Sequence, residues 1–233
     1  MPRMRRVAVP NYPHHIQQRG HNGETVFNDE EDCRKYLSDI QELKSKFKVD
    51  IYAWCLLPDQ VHLLANPGSN ADMLAEMMKG LSARTTRHRN RKYKRSGTLW
   101  EGRYRSSVVQ RGEWTLACMY YLETLHSRMH GKATEHYPWT SLDMRAGRTE
   151  KNWLDLPDEF QNLGHSPLER INVYTRNLQK GMDENQARVI ESAVSRNQLT
   201  GDSDFIDEVE RLTGIRMSSR GRGRPPLKRE HEN

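Results

Sequence analysis

Residues 49–67 read VDIYAWCLLPDQVHLLANP, two apolar runs joined by Pro58-Asp59. Apolar runs of this length, broken by a turn dipeptide, describe a β-hairpin. Successive side chains on a strand point to opposite faces, so Gln60 and His62, with Val61 between them, project together. An amide and an imidazole on one face are two potential ligands for a single ion.

Working outward from the hairpin, HHIQQRG (14–20) reads as a short strand followed by a turn. Asn28 is the expected cap of a helix that carries acids at 29–31. Its apolar residues, Cys33, Tyr36, Leu37, Ile40, Leu43 and Phe47, keep helical spacing. The hairpin follows, with strands expected at 48–57 and 61–65. Gly68-Ser69-Asn70 then leads into a second helix with apolar positions Met73, Leu74, Met77, Met78 and Leu81. A methionine stripe at this spacing is core packing.

That helix enters the basic stretch 83–97, and a strand is expected over 98–110 with Trp100, Tyr104 and Val108 in one register. The order β-α-β-β-α-β predicts an α+β fold, a four-stranded antiparallel sheet with both helices on one face and the other face open. A third helix is expected at 113–127 and a turn with a buried Trp139 at 136–141. Further helices are expected at 168–180, 183–195 and 203–212. Three regions result: 1–145, a helical appendage at 146–215, and a basic, disordered tail at 216–233.

The chain has 233 residues, 29% of them charged, and a net charge of +6. Its mean hydropathy is −0.95. No apolar run reaches the roughly 18 residues of a membrane span, and no signal core follows the first methionine, so a cytoplasmic protein is expected. Cys33, Cys55 and Cys118 lack paired spacing and read as buried thiols. The charge is segregated. Residues 84–105 carry a net +8, residues 1–19 a net +4 and residues 216–229 a net +6, which leaves −12 on the rest. Basic segments on an otherwise acidic chain suggest a footprint for a polyanion. The candidate polyanion contacts are Arg84, Arg87, Arg89, Arg91, Lys92, Lys94, Arg95, Arg103 and Arg105, with Arg220, Arg222 and Arg224 in an Arg-Gly-Arg tail that is similar to an AT-hook.

The pieces VPNYPHHIQQRG (9–20), IYAWCLLPDQVHLLANP (51–67), GTLWEGRYRSS (97–107), MYYLETLHSR (119–128), HYPWTS (136–141) and GRGRPP (221–226) together resemble the REP-associated tyrosine transposases. These are single-tyrosine HUH endonucleases of the IS200-like group. The resemblance implies a ferredoxin-like catalytic domain, a tyrosine nucleophile, a Mg²⁺ or Mn²⁺ cofactor and a substrate of palindromic repeats that fold as single-stranded hairpins. It puts the nucleophile at Tyr121, with Tyr120 as second choice, and the metal ligands at Gln60 and His62. Homodimer and monomer are both compatible with it.

The chain departs from that pattern at two positions. Gln60 stands where the family has the first histidine, and Leu125 stands at the ligand position four residues after the tyrosine. Glutamine still offers an oxygen, leucine offers nothing, and His126 is the nearest substitute. Two function classes follow. One is a single-strand endonuclease and strand transferase working through a 5′-phosphotyrosine. The other is a catalytically weak or inactive DNA-binding protein of the same fold.

Overall fold

The computed structural model describes residues 7–131 and 137–215. Strands β1 (His14–Arg19), β2 (Asp50–Leu57), β3 (Gln60–Asn66) and β4 (Arg105–Val108) form one sheet in the order β2-β3-β1-β4. Every neighbouring pair is antiparallel. Helices α1 (Glu30–Phe47) and α2 (Asp72–Lys92) connect β1 to β2 and β3 to β4. This is the expected α+β ferredoxin-like arrangement.

Asp29, not Asn28, caps α1 by accepting the amide of Asp32. The chain leaves α1 through Lys48 in the left-handed region at φ 53°. Tyr36, Ile40 and Leu43 of α1 and Leu74, Met77 and Leu81 of α2 then bury against Ile16, Trp54, Val61 and Leu63 of the sheet. The second helix runs to Lys92, so most of the basic stretch is helical.

The opposite face is covered, contrary to the open face expected from the β-α-β-β-α-β order. Helix α3 (Glu113–His130) lays Ala117, Cys118, Leu122 and Leu125 on Ala53, Cys55, Leu57 and Leu64. The reason lies in the hairpin itself. A bulge between Ile51 and Ala53 shifts the alternation, and both faces of β2 and β3 carry apolar side chains that would otherwise meet water. The last strand is shorter than expected. Residues 98–104 form a loop tied to the end of β1 by the bridge Gly20–Trp100 and by Glu101 N–H donating to the Arg19 carbonyl at 3.0 Å. Cys33, Cys55 and Cys118 are buried and unpaired.

Beyond α3 the chain forms α4 (Leu142–Arg145), α5 (Asp158–Gln161), α6 (Pro167–Gln179), α7 (Glu184–Arg196) and α8 (Ser203–Thr213). The last three lie within two residues of the expected helices. They pack directly on the sheet region: Ala187 and Ile190 of α7 and Tyr174 of α6 join the α3 core, and Thr200 bridges to Val109. A fully buried knot ties α4 and α6 to α3. Arg145 Nε and Ser141 Oγ donate to Glu123 Oε1 at 2.9 and 2.7 Å, and the Tyr174 hydroxyl donates to Glu123 Oε2 at 2.8 Å. Glu123 lies two residues after Tyr121, so this knot sets the rotation of α3 about its axis.

Candidate active site

The register of β1 against β3 pairs Gln17 with His62 and Arg19 with Gln60. Period two therefore puts all four side chains on the face beneath α3. There they wall an open cleft of about 490 Å³ that is also lined by Tyr121, Leu125, Arg128 and Met129 of α3 and by Arg188, Glu191, Ser192, Ser195 and Arg196 of α7. Gln60, His62 and Tyr121, the residues singled out by sequence, meet in this one cavity.

His62 is buried, with its Nδ1 3.0 Å from His15 Nε2 and its Nε2 3.4 Å from Gln60 Oε1. Gln60 Oε1 also accepts from Gln17 Nε2 at 3.0 Å and Arg19 Nε at 3.2 Å. Burial holds His62 well below the usual imidazole pKa, and the Arg19 charge lowers it further. The ring is thus neutral at pH 7. In the tautomer in which His62 donates from Nδ1 to His15, its Nε2 lone pair faces Gln60, as a metal ligand requires. Among the described residues no group of three His, Cys, Asp or Glu side chains is placed to hold an ion. The donors here are an imidazole and neutral amides, a set that fits a hard divalent cation sharing a substrate phosphate.

Tyr121 is 4% exposed, and its ring meets the edge of His15 at a centroid distance of 5.9 Å. Burial pushes its phenol pKa up, Glu191 raises it further and Arg128 opposes the shift. Tyr120 points elsewhere, onto Tyr174 at 4.6 Å. Leu125 lines the cavity with carbon. His126 does not replace it, because its ring lies flat on Tyr137 at 3.5 Å and against His130 at 4.6 Å.

The basic residues divide. Arg84 binds Asp39 and Glu42 at 3.0 and 2.6 Å, and Lys92 binds Asp29, Glu31 and Asp32 at 2.7–3.1 Å. Arg89 is buried and donates to the Thr25 carbonyl at 2.7 Å. Arg95 pairs with Glu24 at 2.5 Å, and Arg105 donates to the Ser195 carbonyl. The acids of the first turn of α1 thus also neutralise α2. Arg87, Arg91, Lys94 and Arg103 are exposed and make no ion pair among the described residues. Arg220, Arg222 and Arg224 lie outside the described residues.

Sequence reasoning leaves His14 and His15 as structural or DNA-facing, with at most one of them able to join the site, and it missed Gln17 and Arg19, whose alternation on β1 was visible but whose partner strand was not. It also missed the α7 wall, which no local pattern announces.

The family described as "Transposase IS200 like" matches residues 8–124. A solved structure of a REP-associated tyrosine transposase bound to a REP hairpin is similar to this chain at 14% identity and a TM-score of 0.54, covering 67% of this chain and 93% of that one. This likeness shows the fold. A chain from Deinococcus radiodurans assigned as a transposase gives 16% identity, a TM-score of 0.36, and 55% and 93% coverage. The tRNA(His) guanylyltransferase of Saccharomyces cerevisiae gives 14%, 0.39, and 78% and 83%. No curated protein sequence matches the chain.

Proposed function

Because the chain belongs to the IS200-like transposase family, which matches half of its length, we propose that it nicks and rejoins single-stranded, hairpin-forming repeat DNA with Tyr121 as nucleophile. The observation that carries this reading is the convergence of Tyr121, His62 and Gln60 on one cavity.

The Tyr121 phenol oxygen attacks the scissile phosphorus, a tyrosyl phosphodiester forms to the DNA 5′ end, and the 3′ oxygen leaves as a hydroxyl. A phenol with pKa about 10 is roughly 0.1% ionised at pH 7, and burial lowers that fraction, so the proton needs an acceptor. Glu191 is the carboxylate that the cavity lining offers. Arg19, Arg188 and Arg196 line the same space and orient the phosphates, while Arg128 is held by Glu184 at 2.9 and 3.0 Å. His62 and Gln60 would hold a divalent ion, Mg²⁺ or Mn²⁺, which when bound would polarise the phosphoryl oxygens. The tyrosyl bond keeps the energy of the phosphodiester, so a 3′ hydroxyl can reverse the step without a nucleotide cofactor.

The solved relative bound to a REP hairpin supports hairpin DNA as the partner. In this reading the protein meets that DNA in the cytoplasm, and the exposed Arg87, Arg91, Lys94 and Arg103 are its external DNA contacts. No described helix is long and apolar enough to cross a membrane.

A second reading, a DNA-binding protein that no longer cuts, is favoured by the carbon surface of Leu125 in the cavity. Incubation of the purified protein with end-labelled single-stranded hairpins and Mn²⁺ separates the two. Strand transfer predicts a cut strand whose fragment migrates freely on a denaturing gel only after protease treatment. Tight binding with no cut under Mn²⁺ or Mg²⁺ selects the second reading.

A further inference from the structure

Under the strand-transfer reading, on which the role assigned below to Gln17 rests, the ion is one protein donor short, because Leu125 presents carbon to the cavity. Gln17 stands on the opposite wall. It pairs with His62 in the β1–β3 register and is 6% exposed. Its Nε2 lies 3.0 Å from Gln60 Oε1 and 3.4 Å from His62 Nε2, while its Oε1 is buried without a hydrogen-bond partner among the described residues.

The two ends of a primary amide are nearly isosteric, and rotation about its last bond exchanges them. The unpartnered oxygen forfeits no hydrogen bond when it turns. Rotation replaces a donor by an acceptor beside Gln60 Oε1 and His62 Nε2, so three neutral donors of the type O, O, N face one another. Without a cation that arrangement is repulsive, and the amide donates as observed. A divalent ion reverses the preference. Arg19 Nε occupies one lone pair of Gln60 Oε1, and a carbonyl-type oxygen has a second.

We infer that Gln17 is the third protein ligand of the ion, supplied from β1 in place of the α3 side chain that Leu125 has removed. The site is then a strand-only platform of Gln17, Gln60 and His62, with α3 contributing the tyrosine alone.

The test is Mn²⁺ titration of the full chain, followed by the loss of the electron paramagnetic resonance signal of free Mn²⁺. Wild type should bind one ion. Gln17→Leu should raise the Kd about ten-fold or more, as loss of supporting groups at metal sites does. Gln17→Glu, which adds a charged oxygen at the same place, should lower the Kd, a gain that misfolding cannot mimic. Equal Kd values for wild type and Gln17→Leu, or no Mn²⁺ uptake by wild type, overturn the inference. Hairpin binding and cutting by wild type are scored separately, so failure of strand transfer is distinguishable from failure of Gln17 as a ligand.

Discussion

His15 and His62 meet across β1 and β3 with Nε2 and Nδ1 3.0 Å apart and ring centroids at 5.2 Å, both rings buried beneath α3. Burial lowers the His15 pKa to about 3 and drives His62 well below its ordinary value. His14, on the other face, falls to about 4 by the same cause. A histidine whose folded pKa lies below its unfolded value binds fewer protons when folded, so stability falls as pH drops below about 6.5. Between pH 7 and pH 5, His14 and His15 should each cost about 2 kcal/mol. Urea denaturation at the two pH values measures it; equal stabilities would mean that these rings are not buried in the folded protein.

The Glu123–Arg145 pair, at 2.9 Å with both side chains fully buried, ties α4 and α6 to the helix that carries Tyr121. Removing one partner strands a charge in the core, so Arg145→Met should lower stability by about 3–5 kcal/mol. The double variant Glu123→Leu with Arg145→Met should cost less than the two single changes added. Chemical denaturation of all four proteins completes the cycle. Additive losses would show that the two groups do not interact.

The split among the α2 cations predicts a split in DNA behaviour. Arg87→Ala or Arg91→Ala should weaken hairpin binding and flatten its salt dependence by roughly 0.7–0.9 log units per log unit of salt for each phosphate left without its cation. Arg84, already held by Asp39 and Glu42, should leave that slope nearly unchanged when replaced by alanine and should reduce thermal stability instead. Binding isotherms from low to moderate salt measure this. An Arg84→Ala slope change as large as that of Arg87→Ala would mean that the ion pairs open on DNA.

The element order was legible because each local signal agreed with the global fold. Val61, Leu63 and Ala65 alternate with Gln60, His62 and Leu64, and Tyr36, Ile40 and Leu43 keep one helical stripe. Gln60 and His62 could be paired because they share one strand. What sequence left open was long-range. Nothing near His15 or Gln17 says that β1 will pair with β3 in the register that brings them to His62. The apolar residues on both faces of Cys55–Leu57 did hint that the second face would be covered, but not that α7 would bring Arg188 and Glu191 to Tyr121. The net charge of 84–105 was similarly read without Asp29, Asp32, Asp39 and Glu42, which lie more than 40 residues earlier in the chain and reach it only through the α1–α2 packing.

The most direct test of the central claim is where DNA attaches. Wild-type protein incubated with a single-stranded hairpin and Mn²⁺, digested with trypsin and read by peptide mass spectrometry, should carry its nucleotide adduct on Tyr121, and Tyr121→Phe should carry none while still binding the hairpin. An adduct on Tyr120, whose ring faces Tyr174 and not the cavity, or strand cutting that persists in Tyr121→Phe, would contradict the account.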